Sequence, residues 1–479
     1  MPLDLHQSNV TMGAPFASML ENLQANILKG HGRNFAFHLF FSFDKNNVDK
    51  TKAWIANFAK SNKITSAERQ LKGTKKFKLE KIDAGPIITL SLSAHGYRVL
   101  GMEEVMPKDS NSFLGGMRAD KDKLLDNPTQ WTAGFNNESR PIDMMILVAD
   151  SDLSKAQELA QGLITDISEF AHFLLSQMGK GLKKKGVIGG GIEHFGYADG
   201  ISQPLYMDDE IQQQQGTDKW NDKTNLDRLL VKDGPTDVDS FGSYLVFRKL
   251  EQNVAAFKKA EGDDPEDCDA PALLPCVVNE DIKPDRSLAG AMIVGRHEDG
   301  TPVELSSLPK GEHSTANNFD YTSGDKSRCP FFAHTRIMNP RDVKTENLNE
   351  HRITRRGIPF DDIGRFSQDV IFVTDDMLEK DPPPGGVGLL FMCYQSNIDN
   401  QFLILQQFWA NRGIIGSHNI GTDDAIISQA TSAGKKVLPV KWGEAALNEE
   451  KAFDFPHAVT NRGGEYLFTP SIAFLASIS

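Results

Sequence analysis

The chain has 479 residues, of which 39% are hydrophobic and 24% are charged, as in an ordinary globular protein. This length exceeds what one hydrophobic core needs, so two packed units are expected. The formal net charge of −13 at pH 7 argues against non-specific binding to nucleic acid, because such a protein would repel phosphate.

Residues 1–30 contain no basic segment followed by an apolar stretch, so no secretory signal is expected. No window approaches the run of about 18 apolar residues that a transmembrane helix needs, so no membrane contact is expected. The four cysteines form no CxxC or CxxCH motif: Cys268, Cys276, Cys329 and Cys393. They are interpreted as structural or free thiols in a reducing compartment, and the predicted location is the cytoplasm.

Apolar runs of strand length alternate with helical stretches along the chain. The predicted strands are 34–43, 86–94, 141–150, 241–250, 289–295 and 388–396. The predicted helices are 47–61, 151–179 and the stretch that follows strand 388–396. This alternation, without the long apolar strands of an all-parallel sheet, favours an α+β fold.

Three irregular segments interrupt this pattern. Residues 208–238 are polar and mark a candidate boundary, which divides the chain into 1–235 and 236–479. Residues 261–275 resemble an acidic insertion, and residues 379–388 form a Pro/Gly turn that leads into a strand.

A glycine-rich segment, 189–204, is predicted to be a loop because glycines are too dense there for a helix or strand interior. It contains neither GxxxxGK[ST] nor a strand-to-helix GxGxxG, which excludes a nucleotide site. Asp199, between Ala198 and Gly200, is either an Asx-turn residue or a carboxylate at the wall of a cavity.

Two later segments offer a histidine and a group of arginines. His334 lies in RCPFFAHTRIMNPR and is either a core histidine or a ligand, with His194, His351 and His418 as competitors. In HRITRRGIPF, the arginines at 352, 355 and 356 form either a solvated turn or a buried group. If buried, they need an anionic partner, because an unpaired guanidinium is costly to bury.

Two C-terminal segments could complete a site. Leu389 and Phe391 are two apart in a predicted strand, so they share a face and line either the core or a pocket. Asp423 or Asp424, in GTDDAIIS, is either a helix N-cap or the acceptor that orients a ligating histidine.

In this order, the segments resemble the dye-decolourising peroxidases. GYADG (196–200) matches the GxxDG motif of that family, and AHTRIMNPR is similar to its proximal-histidine segment. RRGIPF looks like its distal-arginine segment, and GLLFMCYQS looks like the strand that supplies its distal Leu and Phe. The resemblance runs from about residue 23 to about residue 430.

The resemblance implies two ferredoxin-like α+β modules, with non-covalent haem b in the C-terminal half. It implies that Asp199 is the distal acid and base, that Arg355 stabilises charge and that His334 ligates the iron. The other implied cofactor contacts are Gly200, Arg336, Arg341, Leu389, Phe391 and Asp424. The register with Ile426 and Ile427 favours Asp424 over Asp423 as the partner of His334.

The implied activity is reduction of hydrogen peroxide with oxidation of dyes, phenolic or other aromatic substrates. An ordinary Asp titrates near pH ~3.9, so activity is expected to be best at acidic pH. Trp409 and Tyr394 are either core residues or electron relays to bulky substrates. The alternative functions on this scaffold are iron release from haem and a haem carrier or sensor, which would not need Asp199. A homodimer is an expected assembly, because members of the family often form dimers.

Overall fold

The computed structural model describes residues 3–214, 216, 218–234, 239–262, 268, 272–311, 316–322, 324–341, 348–430, 436–444 and 450–478. Its strands are β1 Phe35–Phe43, β2 Ile87–Leu92, β3 Met144–Asp150, β4 Ala171–Lys180, β5 Leu182–Lys183, β6 Gly191–Ile192, β7 Val231–Lys232, β8 Phe241–Gln252, β9 Val277–Val278, β10 Pro284–Asp285, β11 Thr354–Arg355, β12 Ile358–Asp361, β13 Val387–Gln395, β14 Ile414–Ile415, β15 His418–Asn419, β16 Lys436–Pro439, β17 Glu450–Phe453 and β18 Val459–Thr469.

Most of the helices are short. The α-helices are α1 Ala17–Asn22, α2 Val48–Lys60, α3 Ala67–Glu80, α4 Ala94–Val99, α5 Asn111–Gly115, α6 Lys121–Leu124, α7 Leu153–Ile167, α8 Asp208–Gln213, α9 Val254–Glu261, α10 Arg286–Val294, α11 His334–Met338, α12 Asp375–Glu379, α13 Phe402–Ile404 and α14 Ile472–Ser477. A π-helical turn, Leu405–Ala410, continues α13. Short 3₁₀ helices span Met117–Asp120, Pro128–Gln130, Leu226–Arg228 and Leu348–His351.

The two halves of the chain repeat one strand arrangement. In the N-terminal half the antiparallel order is β2-β3-β1-β4. In the C-terminal half the order is β11-β13-β8-β18, with β12 also paired to β13. If β11 and β12, which both pair with β13, are counted as one strand, the order across the sheet is second, third, first and fourth in both halves, and helices connect the strands. The predicted α+β fold, with ferredoxin-like antiparallel sheets flanked by helices, is confirmed. The boundary at residues 235 and 236 stays a prediction.

The two sheets meet at both of their edges. β18 pairs with β2 through Phe468 and Leu92. On the other side β4 packs against β12, where a Cβ on Gly179 would lie 2.3 Å from the side chain of Ile358. Glycine is therefore required at this close approach. The shared interior contains His38 and Phe40 of β1, whose rings lie 5.3 and 5.0 Å from that of Phe247 on β8.

Two secondary-structure predictions were wrong. Residues 289–295 were predicted to be a strand, but 289–294 lie in α10. The N-cap of this helix is Asp285, whose carboxylate accepts the N–H of Leu288, and its C-cap is Gly295 in the left-handed conformation. The helix predicted for 151–179 ends at Ile167, and the residues after it form β4, which pairs with β1. A short apolar run does not distinguish helix from strand, and tertiary pairing decided both segments.

The interpretation of four unpaired thiols is also corrected. Cys268 and Cys276 form a disulfide with a Cα–Cα distance of 5.9 Å, whereas Cys329 and Cys393 are free and buried. The predicted reducing compartment therefore loses the support of four unpaired thiols. The predicted acidic insertion at 261–275 lies mostly outside the described residues. Among the described helices, none is both long enough and apolar enough to cross a membrane.

Candidate active site

A cavity lies between the C-terminal sheet and the helices that cover it. Its sheet side consists of alternate residues that share one face: Arg248, Leu250, Gln252, Leu389 and Phe391. Its helical side comes from α10, α11 and the π-helical turn: Val294, His334, Thr335, Met338, Leu405, Gln406 and Trp409. A π-helical turn inside a helix is frequent at functional sites. The volume of this cavity is about 270 Å³.

The glycine-rich segment forms one wall of the cavity as a small hairpin. Asp199 donates its N–H to the carbonyl of Gly191 at 3.0 Å, and Ile192 pairs with Ala198. Gly196 and Gly200 adopt φ values of +103° and +82°, which favour glycine. The sequence therefore folds into a tight turn that places Asp199 and Gly200 at the cavity wall.

Asp199 and Arg355 form an ion pair in this wall. Arg355 Nη1 donates to Asp199 Oδ1 at 3.2 Å, and its Nη2 donates to the carbonyl of Ile201 at 3.1 Å. The Arg355 backbone N–H donates to Gln203 Oε1 at 3.1 Å, which ties β11 to the same loop. Both charged side chains keep about a third of their surface accessible, at 29% and 32%. The carboxylate and the guanidinium are therefore fixed in place and still face the cavity.

His334 lies at the first position of α11 and lines the same cavity. Its Nδ1 is 2.9 Å from Asp424 Oδ2, so the ring donates an N–H to this fully buried carboxylate. Asp424 Oδ1 accepts the N–H groups of Ile426 and Ile427 at 2.7 and 2.9 Å. One carboxylate oxygen thus caps a turn while the other orients the histidine. This arrangement leaves Nε2 of His334, which no described residue bonds, for a ligand.

Asp423 has a different partner. Its Oδ1 accepts from Lys436 Nζ at 2.9 Å, and both side chains are buried. Of the two neighbouring carboxylates, Asp424 is therefore the one that contacts His334.

Three arginines line the cavity in an arrangement that we call the arginine–aromatic stack. Arg352 lies 4.8 Å from the ring of Trp220, and Arg341 lies 4.5 Å from the same ring. Arg341 is also 4.1 Å from the ring of Phe319, against which Arg296 lies at 5.7 Å. Burial lowers the pKa of Arg296 to about 10 and also lowers the pKa of the other two arginines.

No described carboxylate lies within ion-pair distance of these three guanidinium groups. Their hydrogen bonds go to carbonyl oxygens and neutral side chains, for example from Arg296 to Gly300 and Ala316 at 2.9 and 2.6 Å. Arg341 Nε is buried without a partner among the described residues. Buried guanidinium groups in this state favour an anionic ligand.

Some predicted site residues lie elsewhere. Arg336 is buried outside the cavity lining, and its guanidinium donates to backbone carbonyls, including that of Asp325 at 2.6 Å. His194 is buried and donates from Nε2 to the carbonyl of Phe360, and His418 is exposed. Tyr394 belongs to the main core, where burial raises its pKa to about 12.

The other predicted residues do reach the cavity. Leu389, Phe391 and Arg341 line it, as do Trp409 and His351, whose rings meet edge to face at 5.7 Å. Trp409 is buried, so it does not reach the surface as an electron relay would.

Arg296, Trp220 and Glu193 also line the cavity, although none of them was predicted from the sequence. Arg296 directly follows a short apolar segment, and a cation in that place could have indicated a buried anion site. Glu193 belongs to the same glycine-rich segment as Asp199, which is the signal that could have identified it.

Comparisons with known proteins agree with this architecture. Residues 22–180 match the family model of the DyP dimeric alpha+beta barrel domain. The multifunctional dye peroxidase DyP2 of Amycolatopsis sp. is 36% identical, with 100% of each chain covered. A solved structure of DyP2 from the same source gives a TM-score of 0.84 at 33% identity over 99% of this chain and 100% of that one. A DyP-type peroxidase of Anabaena sp. gives a TM-score of 0.82 at 34% identity over 97% and 96%.

The fold and the sequence similarity together define a haem-enzyme family with an α+β barrel. The chain belongs to the dye-decolourising peroxidase family. It is accordingly a peroxidase enzyme, for which hydrogen peroxide and a reducing substrate are the implied reactants.

Proposed function

We propose that this cavity binds haem b non-covalently and that the protein reduces hydrogen peroxide while oxidising dyes, phenolic or other aromatic substrates. The observation that carries the proposal is that two pairs, Asp199–Arg355 and His334–Asp424, contribute to one cavity. A carrier or sensor would need only the second pair.

The residues present fit the cofactor. Apolar walls from Val294, Leu250 and Phe391 suit a porphyrin ring, and the arginine–aromatic stack supplies cations for the propionates. The residues that would hold the cofactor are His334 through Nε2 and, at the anionic edge, Arg341 and its stacked neighbours. No CxxCH motif is present, which supports non-covalent binding.

The haem iron supplies the redox chemistry when it is bound. Asp199 acts as the acid and base. Its carboxylate takes a proton from one oxygen of the peroxide and delivers it to the other oxygen, which leaves as water when the O–O bond breaks. The pairing with Arg355 keeps this carboxylate at a fixed place. This positioning is the main contribution of the glycine-rich hairpin.

Arg355 has a second role in the same step. Its guanidinium remains charged and stabilises the negative charge that develops on oxygen as the O–O bond breaks. Leu389 and Phe391 keep this part of the cavity apolar, which excludes water and strengthens the electrostatic effect.

His334 and Asp424 act as a second unit. The buried carboxylate accepts the ring N–H, fixes the tautomer with Nε2 free and increases the basicity of the ligand. The buried turn at Ile426 and Ile427 prevents the carboxylate from rotating away.

The proposal is tested by absorption spectra of the haem-loaded protein before and after one equivalent of peroxide. We expect His334→Ala to lose or grossly alter the Soret band of the wild type. Asp199→Asn should keep that band but slow the reaction with peroxide by about 10² to 10⁴, the usual contribution of an acid–base group.

Two results would contradict the proposal. If His334→Ala leaves the haem spectrum unchanged, the iron has another ligand. If Asp199→Asn reacts with peroxide as fast as the wild type, Asp199 is not the acid and base of the reaction.

A further inference from the structure

We propose that Glu193 holds a proton in the cavity beside Asp199, and that loss of this proton sets the alkaline limit of the reaction with peroxide. The proposal rests on the proposed function. It concerns a second carboxyl group of the same cavity and follows from its placement, its donors and the state of Gln252.

The hairpin places the two carboxyl groups close together. Glu193 lies opposite Tyr197, to whose carbonyl it donates at 3.1 Å, and Gly191 lies opposite Asp199. Glu193 and Asp199 are therefore diagonal neighbours on one face, for which Cα distances of about 7–8 Å are usual. Both residues line the cavity.

The groups that bond Glu193 are neutral. Its Oε2 accepts the N–H of Phe195 at 2.8 Å, and its Oε1 accepts the N–H of Tyr197 at 3.0 Å. The third donor is Nε2 of Gln252, on β8. Among the described residues no cation forms an ion pair with Glu193, in contrast to Asp199, which has Arg355.

The charged and titratable groups that face Glu193 do not favour its ionised form strongly. Burial is the largest influence and raises the pKa of Glu193 to about 7, although the hydrogen bonds from Phe195, Gln252 and Tyr197 favour the carboxylate and act in the opposite direction. The negative charge of Asp199 adds to the effect of burial. Arg365, from the segment after β12, acts in the opposite direction, and its guanidinium donates to the carbonyl of the adjacent His194 at 2.9 Å. Tyr197 is neutral, because burial and the carboxylate of Glu261 raise its pKa well above the ordinary value.

Gln252 can accommodate both protonation states. When Glu193 is ionised, the amide donates from Nε2. When Glu193 is neutral, the side-chain amide of Gln252 can rotate by about 180°, so that its Oε1 accepts the O–H of the Glu193 carboxylic acid. Oε1 of Gln252 is buried and has no partner among the described residues, so no other hydrogen bond at that atom fixes the amide orientation.

The consequence for Asp199 is electrostatic. The peroxide reaction develops negative charge in the cavity, and an ionised Glu193 adds a second fixed negative charge that opposes it. A neutral Glu193 removes this repulsion. We therefore expect the reaction to slow by roughly tenfold as Glu193 ionises, an effect of the size expected for charges at this separation in a protein interior.

Infrared difference spectra of the resting protein test whether Glu193 holds a proton, without any turnover. The wild type should show the carbonyl stretch of a protonated carboxylic acid that disappears with a midpoint near about pH 7. Glu193→Gln should lack this transition. The matched control is Glu298→Gln, which removes a carboxylate outside the cavity that pairs with Lys184 and Lys258 and should retain the transition.

The effect on the reaction is measured separately, as the ratio of the peroxide rate constants at about pH 5 and about pH 8. The ratio should be about ten in the wild type and in Glu298→Gln, but near one in Glu193→Gln. If Glu193 ionises with a midpoint below about pH 5, it does not hold a proton near neutral pH, and the proposal is wrong. If Glu193 titrates as expected but Glu193→Gln has the same ratio of rate constants as the wild type, Glu193 does not control the reaction with peroxide. The reaction with peroxide itself would still support the proposed function.

Discussion

The two halves of the barrel have the same strand order, but their outer faces differ. In the N-terminal sheet, α7 packs on β1 and β3, and outward-facing residues such as Leu39 and Phe41 are fully buried. In the C-terminal sheet, the equivalent face of β8 and β13 opens onto the cavity through Leu250 and Phe391. The first face belongs to the core, and the second forms one side of the candidate site.

The length of the connections explains this difference. In the N-terminal half, the connection from β1 to β2 is residues 44–86, which carry α2 and α3. In the C-terminal half, residues 253–353 join β8 to β11 and carry α10 and α11. Longer connections allow helices to stand away from the sheet, so the same fold unit can enclose a ligand. Four predictions test this comparison, in order of decreasing effect.

Truncation of a leucine should distinguish the two faces. Leu39→Ala should lower the free energy of unfolding by about 2–5 kcal/mol, because it leaves a cavity in a closely packed core. Leu250→Ala, the matched control, should cost clearly less, because that side chain already borders open space. Urea unfolding measures both values, and equal losses would show that the two faces are packed alike.

Asp424→Asn removes the negative charge behind His334 and should slow the reaction with peroxide by about 10–100-fold, as is usual for groups that orient a metal ligand. Stopped-flow absorption measures this rate. Asp423→Asn is the control, because Asp423 pairs with Lys436 instead of the histidine. Similar kinetic losses in both variants would contradict the specific role of Asp424.

His38, in the interior between the sheets, should make the fold sensitive to acid. Burial lowers its pKa from 6.5 to about 4, so the unfolded chain binds a proton first as the pH falls. The free energy of unfolding should therefore decrease between pH 6.5 and about 4, by at most ~1.4 kcal/mol per pH unit for this group. His38→Gln should flatten the pH profile of urea unfolding, whereas a substitution at exposed His172 should leave it unchanged.

The smallest effect concerns two tryptophans that each pack against arginine. Trp220 donates from Nε1 to Asp222 at 2.5 Å, whereas Nε1 of Trp131 is buried without a partner among the described residues. Trp220→Phe should therefore cost about 1 kcal/mol more than Trp131→Phe in thermal or urea unfolding. Equal costs would mean that the bond to Asp222 contributes nothing.

Much of the fold could be predicted from local patterns. The strands at 34–43, 141–150 and 241–250 were confirmed because their apolar runs are long and buried on both faces. The segment 289–295 was wrongly predicted, although Asp285 and Gly295 are the start and stop signals of its helix. Runs this short carry too little periodicity, so the surrounding packing decides their structure.

For the candidate site, the sequence identified residue types but not their partners. The motifs and the family resemblance together singled out Asp199, Arg355 and His334, and the structure brings these residues to one cavity. Arg336 satisfied the same pattern of a cation near the histidine, yet its guanidinium faces backbone carbonyls. Whether a charged group faces a cavity depends on side-chain direction, which residue type does not determine.

The fold class, the order of the motifs and the family resemblance could all be predicted from the amino-acid sequence, because periodicity and short motifs are local properties of the chain. Only the packing of the folded chain shows which aspartate contacts His334, which arginines form the stack and that Glu193 shares the cavity with Asp199. These contacts join residues far apart in the chain or on opposite arms of a hairpin. The burial of these side chains and the pairing of their charges therefore arise only when the sheets and helices pack together.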